Sequence, residues 1–210
     1  MDKPVIIIGA NTIGKSAMEA FLSNEIVVYG FLDDSEDLIG NEIGDVTVLG
    51  TMDDDAYTGI IGKESEAFVA TEEIELRKNL VDELVTKHKT MPINAIHGGA
   101  QISASAEIGH GNYIAPAVIL GSRTKIGSHT ILNTGAIIND EATLGDFSQV
   151  GAGAIINAGV TIAEEVFIGS GVIIVAGVKV GKGARIGAGS VVINEVKEGE
   201  TVFGNPATAV

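Results

Sequence analysis

The sequence predicts a two-part protein, a small α/β unit followed by a parallel β-helix, and three observations carry that prediction. Up to about residue 90, apolar runs of strand length alternate with helical patterns. From Ile102 to Val192 an apolar residue recurs every six positions without a slip, as at Ile108, Ile114, Leu120 and onward to Ile186. Between the two, after "TMP" at 90–92, long-helix periodicity stops and glycine becomes frequent. The parts are therefore drawn as 1–90 and 91–210.

In chain order, "PVIII" at 4–8 reads as a strand and a helix runs from about Ile13 to Leu22. Strands follow at 25–32, 46–49 and 66–70, and a charged helix covers 72–88. That order implies a small, largely parallel sheet with helices packed on it. "GANTIG" at 9–14 leaves a strand and opens a helix, the setting of a dinucleotide fingerprint, but Asn11 takes the place of its central glycine. A nicotinamide-dependent reductase is accordingly a weak reading.

The second part has a period that neither a 3.6-residue helix nor plain strand alternation can produce. A triangular parallel β-helix can: each hexapeptide forms one face and one tight corner, and three of them complete a turn. Residues 102–191 then make roughly five turns, stacked at about the 4.8 Å spacing of paired strands. Gly and Asn gather at the corners because the backbone there takes unusual dihedral angles.

Composition narrows the function. The net charge of -15 and pI near 4.5 argue against nucleic-acid binding, which needs clustered Lys and Arg. The chain contains no cysteine, which excludes disulfides, cysteine metal sites and a cysteine nucleophile. Neither the opening apolar run nor "GVIIVAGV" at 171–178 reaches signal-peptide or membrane-spanning form, so a cytoplasmic protein with no membrane partner is expected. Of the four histidines, His110 and His129 are nineteen apart, one off the stacking interval, and no third lies near; no metal site is expected.

The six-residue repeat, "ILNTGAI", "LGDF", the closing "GAGSVVINEV" with "VFGNPA", and the opening "IIIGA" to "GFLDD" unit together resemble the sialic-acid O-acetyltransferase and bacillosamine N-acetyltransferase type of bacterial sugar acyltransferase. The resemblance covers almost the whole chain. It implies a Rossmann-like N-terminal domain that holds a nucleotide-linked sugar, then a left-handed β-helix, in homotrimers that bind acetyl-coenzyme A as acyl donor between neighbouring helices. The left hand comes from the resemblance alone, since the general crossover rule favours the right.

On that resemblance, Gly9, Asn11, Ile13, Asp33 and Asp34 fall where the nucleotide sugar binds. Asn133 matches the family asparagine, while Asp140 stands where the family has its histidine base, Glu141 follows it, and Gln149 replaces a second histidine. The backbone N–H equivalent to that of Ala158 helps to hold the thioester oxygen in the resembling enzymes. Ser122, Asp140, Ala158, Ala176 and Asn194 stack along one corner, so a pantetheine arm is expected against Ala158 and Ala176. Lys179, Lys182, Arg185 and Lys197, with Asn205 of "GNPA", are expected at the nucleotide end of the cofactor.

A carboxylate is a weaker base than imidazole by roughly 2.6 pH units, and burial beside a like charge such as Glu141 would recover part of that gap. An amine acceptor needs less help than a hydroxyl, because its neutral form is already nucleophilic. The chain is thus read as an acetyl-coenzyme A dependent sugar acyltransferase that prefers an amine. A catalytically inactive relative, keeping fold and trimer as a binding or scaffold protein, is the alternative.

Overall fold

The computed structural model describes residues 3–210; Met1 and Asp2, where the first expected part begins, lie outside the described residues. The chain divides into two compact units with the boundary between Gly98 and Gly99. The boundary lies beyond residue 90 because the connecting segment stays bonded to the first unit. Ile93 N–H donates to Ala67 O at 2.9 Å, the Asn24 amide to Ile96 O at 2.8 Å and Gly98 N–H to Ser23 Oγ at 2.8 Å.

In the first unit β1 (Val5–Ile8) is apolar throughout and wholly buried, as a strand covered on both faces must be. It pairs in parallel with β2 (Val28–Leu32) on one side. On the other side it takes the later strand Glu66–Val69, also parallel. Between these in the chain come the two-residue β3 (Glu42–Ile43), β4 (Val46–Gly50) and then β5 (Glu66–Val69), giving the sheet order β3-β4-β2-β1-β5. Only β3 runs antiparallel, in a hairpin with β4 that the sequence did not announce. Strand β2 begins at Val28 rather than near 25, because the end of the preceding helix turns through Glu25 at φ 61° and Ile26 N–H still donates to Phe21 O.

Helix α1 (Thr12–Leu22) buries Ile13, Ala17, Ala20 and Phe21, a three-to-four spacing that lays one apolar stripe on the sheet. A short α2 (Asp55–Thr58) follows β4, and α3 (Ile74–Thr86) buries Arg77, Val81 and Leu84. Glu73 caps α3 by accepting from Glu75 N–H and Leu76 N–H.

The second unit is the coil that the period demands. Two-residue strands recur every six residues from Gln101–Ile102 to Val191–Val192, and up to the last coil each pairs in parallel with the strand eighteen residues on. Three parallel sheets result, and they fit the left-handed β-helix that the resemblance implies. The second residue of each pair points inward: Leu132, Ile138, Val150, Ile156, Ile168 and Ile174 are all at most 2% exposed. Each such residue contributes about 1.5–3 kcal/mol by burial. Ile102 is 37% exposed because no earlier coil covers it.

At each corner, once every six residues from Gly111 to Gly189, one residue adopts a left-handed backbone. Gly135, Gly153 and Gly171 do so on one corner, but Ala117, Arg123, His129, Glu141, Phe147 and Glu165 do so without being glycine. The coil ends in a hairpin of Thr201–Gly204 and Ala207–Ala209.

Candidate active site

The expected corner column exists in the second unit. Glu141 N–H donates to Ser122 O, Gly159 N–H to Asp140 O and Gly177 N–H to Ala158 O, at 2.9, 3.0 and 3.0 Å. Asp140, Ala158 and Ala176 are therefore stacked one coil apart, with exposed side chains. The acid pair is not arranged as anticipated, however. Asp140 is exposed rather than buried, and its Oδ1 accepts the Ser122 N–H at 2.7 Å. Glu141 forms an ion pair with Arg123, its neighbour in the coil below, so its charge is compensated. Burial beside a bare like charge, the device that would have made Asp140 a stronger base, is absent among the described residues.

Asn133 and Gln149 lie elsewhere. Asn133 is half-buried and donates its amide to Val150 O at 3.1 Å, while Gln149 is buried on the third sheet between Ile131 and Phe167. The structure thus gathers Asp140, Glu141, Ala158 and Ala176 on one corner and places Asn133 and Gln149 beyond it.

The residues expected to meet the cofactor also separate. Ala176, Gly177, Lys179, Ile193 and Asn194 line one shallow groove. Small side chains and glycine at this corner leave room for an extended thioester arm, so these residues fit such a donor. Lys182 sits on the next corner, where its ammonium binds Glu164 at 2.7 Å and Glu165 at 3.2 Å. Those hydrogen bonds, Glu164 first, raise its pKa above the ordinary lysine value. With two carboxylates already on it, Lys182 does not offer a phosphate the free charge that was expected of it. Arg185 lies with its guanidinium 4.7 Å from the centre of the Phe167 ring on the third sheet, and Asn205 is exposed in the final hairpin. The basic residues are spread around the coil instead of clustered.

In the first unit a cleft of about 490 Å³, counting its open mouth, lies at the carboxyl ends of β1, β2 and β5. Ile8, Leu32, Met52, Leu76 and Leu80 form apolar walls, and Gly9, Asn11, Asp33 and Asp34 form the polar lip. In open parallel sheets this end of the strands is where ligands bind. Gly9 has φ 112°, and a Cβ there would stand 2.4 Å from Ala70 O, so only glycine fits this turn.

Asn11 caps α1, accepting from Gly14 N–H at 3.1 Å while donating to Ala70 O at 2.6 Å. Asp33 accepts from Ala10 N–H at 2.7 Å and Ser35 N–H at 2.9 Å. Burial pushes its carboxyl up, but the bonds from Ala10 and Ser35 outweigh that and hold it below the ordinary value. Both residues therefore shape the lip, and Asp34 stands exposed beside them. Ile13 is only 6% exposed, so its side chain packs in the core and offers a ligand little beyond its edge.

Sequence reading missed Arg77. It is 1% exposed, and its Nη1 donates at 2.6 Å to the carbonyl of Thr71, a residue of the cleft wall. Burial pushes its pKa down to about 10, against the pull of Glu72 and Glu73. The signal was present: Arg77, Val81 and Leu84 share the helical spacing of a buried face. Among the described residues no group of three or more His, Asp or Glu is placed to hold a metal, and no helix is long and apolar enough to cross a membrane.

The family described as bacterial transferase hexapeptide (six repeats) matches residues 159–194. No curated protein matches the chain. Among solved structures, a histidine-to-asparagine variant of perosamine N-acetyltransferase from Caulobacter crescentus, in complex with CoA and GDP-perosamine, is 28% identical. The match covers 99% of this chain and 96% of that chain with a TM-score of 0.88. A histidine-to-alanine variant of the same enzyme, with the same two ligands, gives 0.89. The acetyltransferase domain of PglB from Neisseria gonorrhoeae FA1090, in complex with acetyl coenzyme A, is 26% identical over 100% of both chains at 0.89. WeeI from Acinetobacter baumannii AYE is 26% identical over 99% of both at 0.83.

Proposed function

We propose that this hexapeptide-repeat sugar acyltransferase moves the acetyl group of acetyl-coenzyme A onto an amino group of a nucleotide-linked sugar, as a cytoplasmic homotrimer. The observation that carries this reading is the whole-chain likeness to the perosamine N-acetyltransferase, which spans both units rather than the repeat alone. That enzyme is found with both CoA and GDP-perosamine in two variants that have each lost a histidine. Occupancy of both sites after loss of that one histidine supports the same in this chain, where the resemblance puts Asp140 at the family's histidine position.

The first unit is read as the Rossmann-like holder of the nucleotide sugar. Gly9 lets a ligand approach the backbone, Asn11 and Asp33 fix the lip, and Asp34 accepts hydrogen bonds from the ligand. In the second unit, the groove along Ala176, Gly177 and Lys179, with the exposed Ala158 one coil before it, takes the donor's arm, and backbone N–H groups of that corner face the thioester oxygen. When bound, the donor supplies an activated acyl group; the chain supplies placement. Lys179 is the lysine best placed for a phosphate, while Lys182, Arg185 and Asn205 take secondary places. The trimer rests on the outward ladder Ile119, Ile137, Ile155, Ile173 and Val191, an apolar sheet face suited to another copy.

A second reading, an inactive binding relative, is favoured by one feature: Asp140, Glu141 and Lys182 each have a partner inside the coil. Calorimetric titration with acetyl-coenzyme A, followed by a thiol-release assay with nucleotide-linked amino sugars, separates the two. The enzyme reading expects micromolar binding weakened about three- to tenfold in Lys179→Ala, in line with a partly exposed charge contact, and thiol release that depends on the sugar. Binding without any sugar-dependent release would leave the inactive relative standing.

A further inference from the structure

We propose that Asp140 works as a fixed carboxylate that holds the nitrogen of the acceptor, and that this contact, not proton abstraction, restricts the protein to amines. The inference rests on the proposed function and assigns a role within that site.

The argument begins with a twin. Six residues on, at the next corner, Asp146 Oδ1 accepts the N–H of Ser128 at 2.7 Å, as Asp140 Oδ1 accepts that of Ser122 at 2.7 Å. The glycine below makes the room in both cases: a Cβ on Gly121 would stand 2.5 Å from Asp140 Oδ1, and one on Gly127 2.5 Å from Asp146 Oδ1. One oxygen of each carboxylate is thus spent on stapling adjacent coils. A residue that does the same work at two corners is placed by the coil.

What separates the twins is the rest of their columns. Beyond Asp146 stand Glu164 and Lys182, joined in an ion pair. Beyond Asp140 stand Ala158 and Ala176, which leave the corner open. Glu141 is neutralised by Arg123, whereas no ion pair involves Asp140 among the described residues. Asp140 is therefore an uncompensated negative charge, held in place by one oxygen, at the head of the open column along which the donor's arm is proposed to lie.

Such a group suits one kind of acceptor. A neutral amine attacks the thioester carbonyl carbon; the C–N bond forms, the carbonyl electron pair moves to oxygen, and the nitrogen becomes positively charged. The free oxygen of Asp140 stabilises that charge. Collapse re-forms the carbonyl, breaks the C–S bond and releases the thiolate, while the surplus proton passes from the now acidic nitrogen directly to solvent water. A hydroxyl offers no such path, because its attack requires removal of the proton as the bond forms, which an exposed carboxylate does poorly compared with imidazole.

The test compares wild type, Asp140→Asn and Asp146→Asn. Asparagine keeps an oxygen for the serine N–H, so both variants retain the staple. Titrations use GDP-perosamine, and UDP- and dTDP-linked amino sugars, each beside the same nucleotide sugar with hydroxyl in place of the amine, in the presence of CoA. The expected result is that wild type prefers the amine by about three- to tenfold, that Asp140→Asn loses the preference and that Asp146→Asn keeps it. With any sugar that turns over, Asp140→Asn should raise KM and lower kcat by no more than about tenfold, leaving the shape of the pH profile unchanged. Equal binding of amine and hydroxyl partners, or identical behaviour of the two variants, overturns the role of Asp140 while the acyltransferase reading stands. A fall in kcat of a hundredfold or more with loss of the acid limb overturns it in favour of a general base. Failure of wild type to bind any of these sugars or CoA removes the reading itself, and the inference with it.

Discussion

Asp33 spends both carboxylate oxygens on backbone, one on Ala10 N–H and one on Ser35 N–H, and so locks the turn after β1 to the end of β2. Its pKa in the folded chain lies below the ordinary 3.8, the bonds from Ala10 and Ser35 prevailing over burial. A depressed acid stabilises the fold fully above its unfolded value and loses that contribution as pH falls through the folded one. Asp33→Asn, which presents an N–H₂ where one of those donors needs an acceptor, should cost about 1–2 kcal/mol at pH 7. The gap between variant and wild type should narrow on acidification below about pH 4. Urea unfolding at pH 7 and pH 3 measures both; a gap that stays constant would mean that Asp33 is not held as an ion by this turn.

At the scale of the element, the corner is the unit of stability, and two neighbours in one column meet the same backbone demand with different residues. Ala117 and Gly135 stack eighteen residues apart, both left-handed, at φ 58° and 70°. A side chain strains that backbone by about 1–2 kcal/mol, partly offset by the greater freedom that glycine has when unfolded. Ala117→Gly should therefore stabilise by about 0.5–1 kcal/mol and Gly135→Ala should destabilise by a similar amount. Both substitutions meet little else, since a Cβ at Gly135 has open space around it. Denaturant midpoints that move in the same direction for both would refute the account.

The same scale shows what the sequence could and could not convey. The inward ladder was legible down to the residue because a period of six survives in the spelling. The partners of Asp140 and Glu141 were not, because Ser122 and Arg123 sit one full coil away, and which side chain reaches which backbone depends on corner geometry. In the first unit, the strands β1, β4 and β5 were legible to within a residue or so. Hairpin β3 was not, because its strand is only two residues long, and the roles of Asn11 and Asp33 as clamps depend on contacts between segments more than twenty residues apart.

For the whole molecule, a charge of -15 is a constraint on assembly, since copies that carry it repel one another. Association then needs a surface without carboxylates. Of the three sheets, the second points Glu107, Lys125, Thr143, Thr161 and Lys179 outward, and the third includes Gln149, Arg185 and Thr201. Only the first carries an unbroken apolar ladder above Gln101, from Ile119 to Val191, with Ile119 37% and Ile173 38% exposed. A continuous apolar strip on a chain this acidic marks an interaction face.

If that face joins copies of the chain, added salt should strengthen the assembly, because it screens the carboxylates while leaving apolar contact intact. Ile155→Asp, in the middle of the ladder, should shift the sedimenting species from trimer to monomer without loss of β-structure in circular dichroism, because its inward neighbour Ile156 is untouched. Acetyl-coenzyme A binding should fall together with the trimer if the donor groove is completed by a neighbouring copy. Retention of full binding in a monomeric Ile155→Asp protein would instead place the entire groove on a single chain, and an unchanged trimer would move the interface to another sheet.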